Sequence, residues 1–303
     1  MSVVLPNVRV GDPIRHKSLS VFPLFSDTSE LIEYQLADAA LADQSLLVEE
    51  IDESGSVPEL LVENKGDQRV LFLEGEELVG AKQNRILNTS VLVAAHSKIK
   101  IPVSCVEQGR WRRMTQYFGS SGHHPPAKLR RALKSSVSKS AKEKQKHDAD
   151  QGEVWREVAC LHQCCMVDSS TAAMSDAYDA YEENIAMFRN NLNYVDGSTG
   201  MAVSIGEKIV AIDVFDKPAT CEKVWGRLLS GVVLDALQAA EADSQPSVAD
   251  VEKLISHVTG LAWEQNPAVG EGEEYRSVSK EGDHASVLAC QQTVVHGSVI
   301  AAA

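Results

Sequence analysis

The sequence predicts an α+β fold: a mainly antiparallel sheet, a helical middle, and C-terminal strands that rejoin the sheet. Three observations carry this expectation. Between residues 18 and 107, short apolar runs alternate with turn signals roughly every ten residues, the rhythm of antiparallel strands. From Gln151 to Ala240 the apolar residues mostly recur at helical spacing, and from Glu274 to Ile300 short strand-like runs return. No Pro/Gly-rich linker interrupts the chain, so residues 1–303 are expected to form a single α+β domain.

Taken in order, Leu19, Val21, Pro23 and Phe25 mark a first strand. Leu31, Tyr34, Leu36, Ala39 and Ala40 then suit a short helix capped from Thr28 or Ser29, whose hydroxyls can accept from the first free backbone N–H groups. Leu46–Ile51 and Leu60–Glu63 read as strands, and Asn64-Lys65-Gly66-Asp67 as a turn. Strands follow at Val70–Leu73, Val91–Ala95 and Ile99–Val106. Gln151–Val167 places Val154, Trp155, Val158, Leu161 and Cys165 on one helical face, and Asp168-Ser169-Ser170 breaks it before a second helix at Thr171–Asn191. Gly200–Val203 and Lys208–Phe215 form a hairpin around Gly206. Cys221–Ala240 and Val248–Val258 are helical, separated by Pro246. Glu274–Val278, Ala285–Cys290 and Thr293–Ile300 close the chain as strands.

The segment 112–146 stands apart, with ten basic residues against the single acid Glu143. Gly119-Ser120-Ser121-Gly122, Pro125-Pro126 and a Ser/Lys-rich stretch leave it little apolar surface. It therefore predicts a flexible basic insert over 119–147, one able to draw anions toward a neighbouring site.

The chain as a whole carries 43 acidic and 29 basic residues, a formal net charge of −14, which argues against general nucleic-acid binding. No window approaches the roughly 18–20 apolar residues of a membrane span, and the N-terminus has no apolar signal core. The expected setting is cytoplasmic, in keeping with six scattered cysteines that form no disulfide framework. Cys160-Leu161-His162-Gln163-Cys164-Cys165 lacks a second ligand pair at zinc spacing, so no metal site is expected there, and cofactors remain unassigned.

The candidate site lies between Leu71 and Trp111, where polar groups are wedged between apolar strands. Such groups are expensive to bury unless partnered, so they are either ligand contacts or members of an internal network. Spacing alone leaves both readings open. Arg85 and Arg110 are the best anion ligands, because a guanidinium matches phosphate bidentately. Gln83 and Asn84 offer paired donors and acceptors to a base edge or ribose, and Trp111 offers a plane for stacking. Glu76 and Glu107 are the candidate general bases. Cys105 is a conceivable nucleophile, but its apolar neighbours Val103 and Val106 make it a structural thiol first. The chain shows no Walker loop, no dinucleotide-binding glycine motif and no nucleophile elbow.

Glu74-Gly75-Glu76-Glu77-Leu78-Val79-Gly80-Ala81-Lys82-Gln83-Asn84-Arg85, together with Cys105-Val106-Glu107-Gln108-Gly109-Arg110-Trp111, resembles the signature of a domain family associated with ADP-ribosylglycohydrolase and rhodanese-phosphatase proteins. The resemblance extends over most of the chain, and the basic stretch at 119–147 looks longer than the family pattern. It implies that the domain binds or processes a small anionic, nucleotide-like ligand, ADP-ribose or an NAD-derived metabolite, at the 74–111 segment. The alternative is a non-catalytic sensor or interaction module for a partner enzyme.

Overall fold

Short apolar runs closed by turns do become strands, but they are distributed over three sheets and two units. The computed structural model describes residues 5–27, 32–52, 58–239 and 244–302. The chain packs as two compact units, one made of Met1–Ile32, Tyr181–Asn266 and Glu273–Ala303, the other of Glu33–Ala180 with Pro267–Gly272. The expectation of one domain over 1–303 rested on the missing linker. The second unit is inserted within the first: the chain crosses between Ile32 and Glu33 and between Ala180 and Tyr181 without a Pro/Gly stretch, whereas the short excursion Pro267–Gly272 carries Pro267, Gly270 and Gly272.

The first unit opens with β1 (Val8–Val10), β2 (Ile14–His16) and β3 (Leu19–Ser26). The inserted unit then begins with β4 (Tyr34–Leu36) and α1 (Ala37–Ala42). The helix expected from Leu31 thus starts at Ala37, because Tyr34–Leu36 pairs in parallel with a later strand; its proposed caps, Thr28 and Ser29, lie outside the described residues. β5 (Leu46–Glu50) and β6 (Glu59–Asn64) follow, then β7 (Arg69–Phe72), β8 (Glu77–Gly80), β9 (Arg85–Leu87), β10 (Val91–Val93), β11 (Ser97–Cys105) and β12 (Phe118–Ser120). β10, β7 and β4 form a three-stranded sheet, and β12-β8-β9-β11-β6-β5 a six-stranded one. Alternation explains the second: Leu46, Val48, Leu60, Val62, Ile101 and Val103 turn inward, while Lys98 and Lys100 stay exposed. Those residues, with Val70, Phe72, Leu78, Val91 and Phe118, make one apolar cluster.

The basic stretch corrects the sequence reading most. It is ordered as β12 followed by the 18-residue helix α2 (Ala127–Lys144). Leu129, Leu133 and Val137 recur every four residues with Ala132 and Ala141 beside them, and all are buried. That stripe is narrow but sufficient, and composition hid it because Ser and Lys fill the remaining positions. Next come α3 (Gln151–Cys165), capped by Asp150 accepting from Glu153 N, and α4 (Ser175–Ala180).

The chain then re-enters the first unit with α5 (Glu182–Asn191), so the helix expected over Thr171–Asn191 is two helices broken at Tyr181. β13 (Gly200–Ile205) and β14 (Lys208–Phe215) make the expected hairpin. α6 (Pro218–Gln238) starts at Pro218, a residue suited to the first helical turn, and buries Val224, Trp225, Leu228, Leu229, Val232 and Val233. α7 (Val248–Thr259) opens on a capping box between Ser247 and Asp250. β15 (Glu264–Pro267), β16 (Glu273–Val278), β17 (His284–Cys290) and β18 (Thr293–Ile300) follow. The nine-stranded sheet runs β1-β3-β13-β14-β18-β17-β16-β15, with β2 on β3. Its C-terminal strands do rejoin the N-terminal β3, through β13 and β14. The fold is α+β. No described helix is long and apolar enough to cross a membrane.

Candidate functional site

The site segment belongs entirely to the inserted unit and is built on β8, β9 and the end of β11. A tight turn joins β8 to β9, with Gly80 at φ +123° and Ala81 at φ +38°. A Cβ on Gly80 would lie 2.5 Å from Thr115 Oγ1 and 3.1 Å from Tyr117 O, so only glycine fits both the dihedral and the space. At the other end, Gly109 N donates to Thr171 O at 2.7 Å, and Glu107 bridges to Ala173.

These turns bring the two halves of the segment into contact. Gln83 Nε2 donates to Glu107 O at 2.8 Å, Asn84 N to Glu107 Oε2 at 3.0 Å, and Val106 N to Asn84 O at 3.1 Å. Arg110 grips Glu107 with both edges, Nε to Oε1 at 2.7 Å and Nη2 to Oε2 at 2.6 Å. It also donates to Ala81 O at 2.8 Å and Asn84 Oδ1 at 3.1 Å. Burial alone would raise the Glu107 carboxyl. The bonds from Arg110, Asn84 N and Thr171, with the charge of Arg110, win and hold it below the usual carboxylate range. A carboxylate so stabilised is a weak base.

Arg85 is placed differently. It is fully buried, donates from Nη1 to Gln83 O and Oε1 at 3.2 and 3.1 Å, and lies 3.7 Å from the equally buried Glu50. Glu76 is buried as well, and its Oε2 accepts from Leu73 N at 3.1 Å across the turn. Sequence reasoning therefore found residues that do meet, yet both guanidinium groups face carboxylates of the chain itself. Among the candidates Arg110 is only partly buried and Trp111 is openly exposed, with 49% of its surface in solvent. Lys82 Nζ sits 5.4 Å from its ring centroid, and the buried Arg85 lies 5.8 Å away.

Beyond Trp111 the chain runs outside as far as Tyr117, every residue of 111–117 being exposed. The loop is nonetheless anchored: Met114 N donates to Ala81 O at 2.8 Å, and Thr115 Oγ1 both accepts from Ala81 N and donates to Tyr117 O at 2.8 Å. Met114 and Tyr117 expose 60% and 37% of their surfaces. This face was only partly legible in sequence, where Trp111, Arg112 and Arg113 stood out but Met114 and Tyr117 did not.

Two buried groups escaped sequence reasoning. Glu77 is fully buried, and burial first, then the charges of Glu107, Asp179 and Asp176, push its carboxyl up to about 8 against an opposing bond from Ser121. Lys134, from the segment expected to be flexible, is buried with its Nζ 2.9 Å from Glu74. The signal for both was the acidic run Glu74-Gly75-Glu76-Glu77 set among apolar strands, which needs either counter-charges or protons.

The remaining candidates are structural in placement. Burial pushes the Cys105 thiol up to about 11, the charge of Glu50 adding to the shift and that of Arg85 opposing it, which disfavours a thiolate nucleophile. In α3 the cysteines divide: Cys160 and Cys164 are exposed, while Cys165 is buried and His162 Nε2 is 2.8 Å from Ala173 O. In the first unit, His296 stacks on Phe215 and lies 3.2 Å from Asp213.

A family model described as the ARG and Rhodanese-Phosphatase-superfamily-associated Protein domain, ARPP-1, matches residues 7–300. The chain belongs to this family. The ARPP-1 match spans both units, so the inserted unit with its polar cluster is part of the family domain. No curated protein and no solved structure matches the chain.

Proposed function

We propose that this ARPP-1 domain is a non-catalytic binding module whose recognition face is Trp111–Tyr117 with Lys82. One observation carries the reading: Trp111, Met114 and Tyr117 expose 49%, 60% and 37% of their surfaces within seven residues that also hold exposed Arg112 and Arg113. Tryptophan, tyrosine, methionine and arginine concentrate at binding surfaces because they combine large contact area with specific polar edges. The polar cluster beneath serves as the platform. Arg110, locked on Glu107 and Ala81, fixes the start of the loop, so a ligand meets a surface already ordered. Catalysis finds less support, since Glu107 is a weak base and the Cys105 thiol stays protonated.

The ligand favoured is a nucleotide-like anion, ADP-ribose or an NAD-derived metabolite. Its base would stack on Trp111, and its phosphates would pair with Arg112 and Arg113. The family's name, which associates it with ARG and rhodanese-phosphatase proteins, fits a role beside enzymes of such chemistry. A second reading makes the same face a docking surface for a partner enzyme. Met114 and Tyr117 favour it, because they continue the exposed apolar surface beyond the indole on which a single base would stack.

Calorimetric titration of ADP-ribose, NAD, AMP and inorganic phosphate separates the readings. The small-ligand reading expects ADP-ribose to bind the unaltered protein, and Trp111→Ala to weaken it by about 1–3 kcal/mol, the worth of one stacked base. Silence from all four ligands leaves the partner-enzyme reading. Binding untouched by Trp111→Ala and by Arg112→Ala/Arg113→Ala would remove the proposed face.

A further inference from the structure

The turn between β16 and β17 faces the last turn of α7 within the first unit, and three metal-ligand side chains meet there. We propose that His257, Glu281 and Asp283 form a binding site for a first-row divalent metal ion of the Zn²⁺ class. His257 Nε2 is 3.4 Å from Glu281 Oε2 and 3.7 Å from Asp283 Oδ2, and one ligand atom from each residue lies within 4.8 Å of the others. Ligands on a tetrahedral ion at bond lengths of about 2.0–2.2 Å stand roughly 3.3–3.6 Å apart. The imidazole thus already sits about one coordination edge from both carboxylates.

The backbone explains the placement. Gly282 takes φ +98°, Ser279 N donates to Asp283 O at 2.9 Å, and Gly282 N donates to Ser279 O at 3.2 Å. This turn sets Glu281 and Asp283 on either side of a glycine that can adopt the dihedral. Asp283 is the fixed ligand: it is only 5% exposed, its Oδ1 accepts from Ala302 N at 2.7 Å, and its Oδ2 accepts from Ser279 Oγ at 2.8 Å. A carboxylate oxygen has a second acceptor position, so Oδ2 keeps a lone pair for a metal. His257 and Glu281 are exposed and can close over the ion.

Electrostatics supply an independent reason for a cation. His257 stands in the last turn of α7, where the helix presents the negative end of its dipole. Two carboxylates gathered at a helix C-terminus are repelled by it and by each other unless positive charge lies between them. One nitrogen and two oxygen ligands suit a borderline ion better than Mg²⁺ or Ca²⁺, which take oxygen alone. Three protein ligands leave at least one position for water, so the site would join α7 to the hairpin with an open coordination position.

Zn²⁺ titration by calorimetry tests this on the full chain, in the background Cys160→Ser/Cys164→Ser to exclude thiolate binding on α3. The expected result is one saturable site per chain, weakened at least tenfold by His257→Ala and by Glu281→Ala, with a higher melting temperature in saturating Zn²⁺ that His257→Ala abolishes. Because both of those residues are exposed, the variants retain the fold, and a circular dichroism spectrum confirms it. Binding that is equal in His257→Ala, or lost with the two cysteines, overturns the site. So does an NMR titration in which Zn²⁺ leaves the His257 ring signals unmoved.

Discussion

Arg110→Ala separates a structural arginine from a ligand-binding one. In the folded protein Arg110 is 12% exposed, its partner Glu107 is 5% exposed, and the two share bonds of 2.7 and 2.6 Å. Removing the guanidinium leaves Glu107 with Asn84 N and Thr171 but no counter-charge, and breaking a buried pair from one side costs about 3–5 kcal/mol. That is a large share of the roughly 5–15 kcal/mol that stabilises a domain. Urea denaturation followed by circular dichroism at pH 7 measures it. The pH dependence supplies a second signature. In the wild type the folded carboxyl sits below its unfolded value, so its stabilisation is present above about pH 4.3 and is lost as pH falls through the folded value. In the variant, burial dominates and the folded value rises above the unfolded one. The variant's deficit should then shrink as pH falls from 7 toward 5. A loss within about 0.5 kcal/mol at pH 7, flat with pH, would show that the Arg110–Glu107 pair does not hold the fold and return Arg110 to the ligand.

Glu77, with a carboxyl pushed up to about 8, contributes stability that is fully present below its unfolded value near 4.5 and is lost as pH rises through 8. Glu77→Gln should therefore flatten the stability profile between pH 5 and 9 and exceed the wild type at pH 9 by on the order of 3–5 kcal/mol; an unchanged profile would show that another group titrates. The helix α2 is expected to be indispensable despite its composition. Leu133→Ala should cost about 2–5 kcal/mol, and replacing 120–146 by a short Gly/Ser bridge should yield unfolded protein, because it removes Leu129, Leu133 and Val137 from the interior together with the ammonium facing Glu74. A melting temperature within a few degrees of the wild type after that deletion would contradict the packing.

Much of the fold was legible because period-2 and period-3.6 patterns are local. β5, β6, β11 and β13–β14 read directly from alternation, and α3, α6 and α7 from their apolar stripes. What was missed depends on partners far away in sequence. Tyr34–Leu36 looks helical alone and becomes a strand because β7 offers a parallel edge. α2 looks disordered because its charges outnumber its apolar stripe, yet Lys134 is buried against Glu74, 60 residues away. β8 and β9 are short and carry Glu77, Gly80 and Arg85, which no propensity scale places in a strand. For the site, sequence spacing picked out residues that meet, since Gln83, Asn84, Glu107 and Arg110 bond to one another. It could not tell a ligand's partners from the chain's own, because Glu50, which faces Arg85, sits 35 positions upstream.

The proposed division of labour gives recognition to the loop and support to the cluster beneath it. Trp111→Ala, measured once by urea denaturation and once by calorimetry with ADP-ribose, separates the two roles. With about half of the indole already in solvent, the expected result is a stability change within about 1 kcal/mol together with a loss of roughly five- to 150-fold in affinity. A variant that binds ADP-ribose as tightly as the wild type while losing several kcal/mol of stability would contradict it.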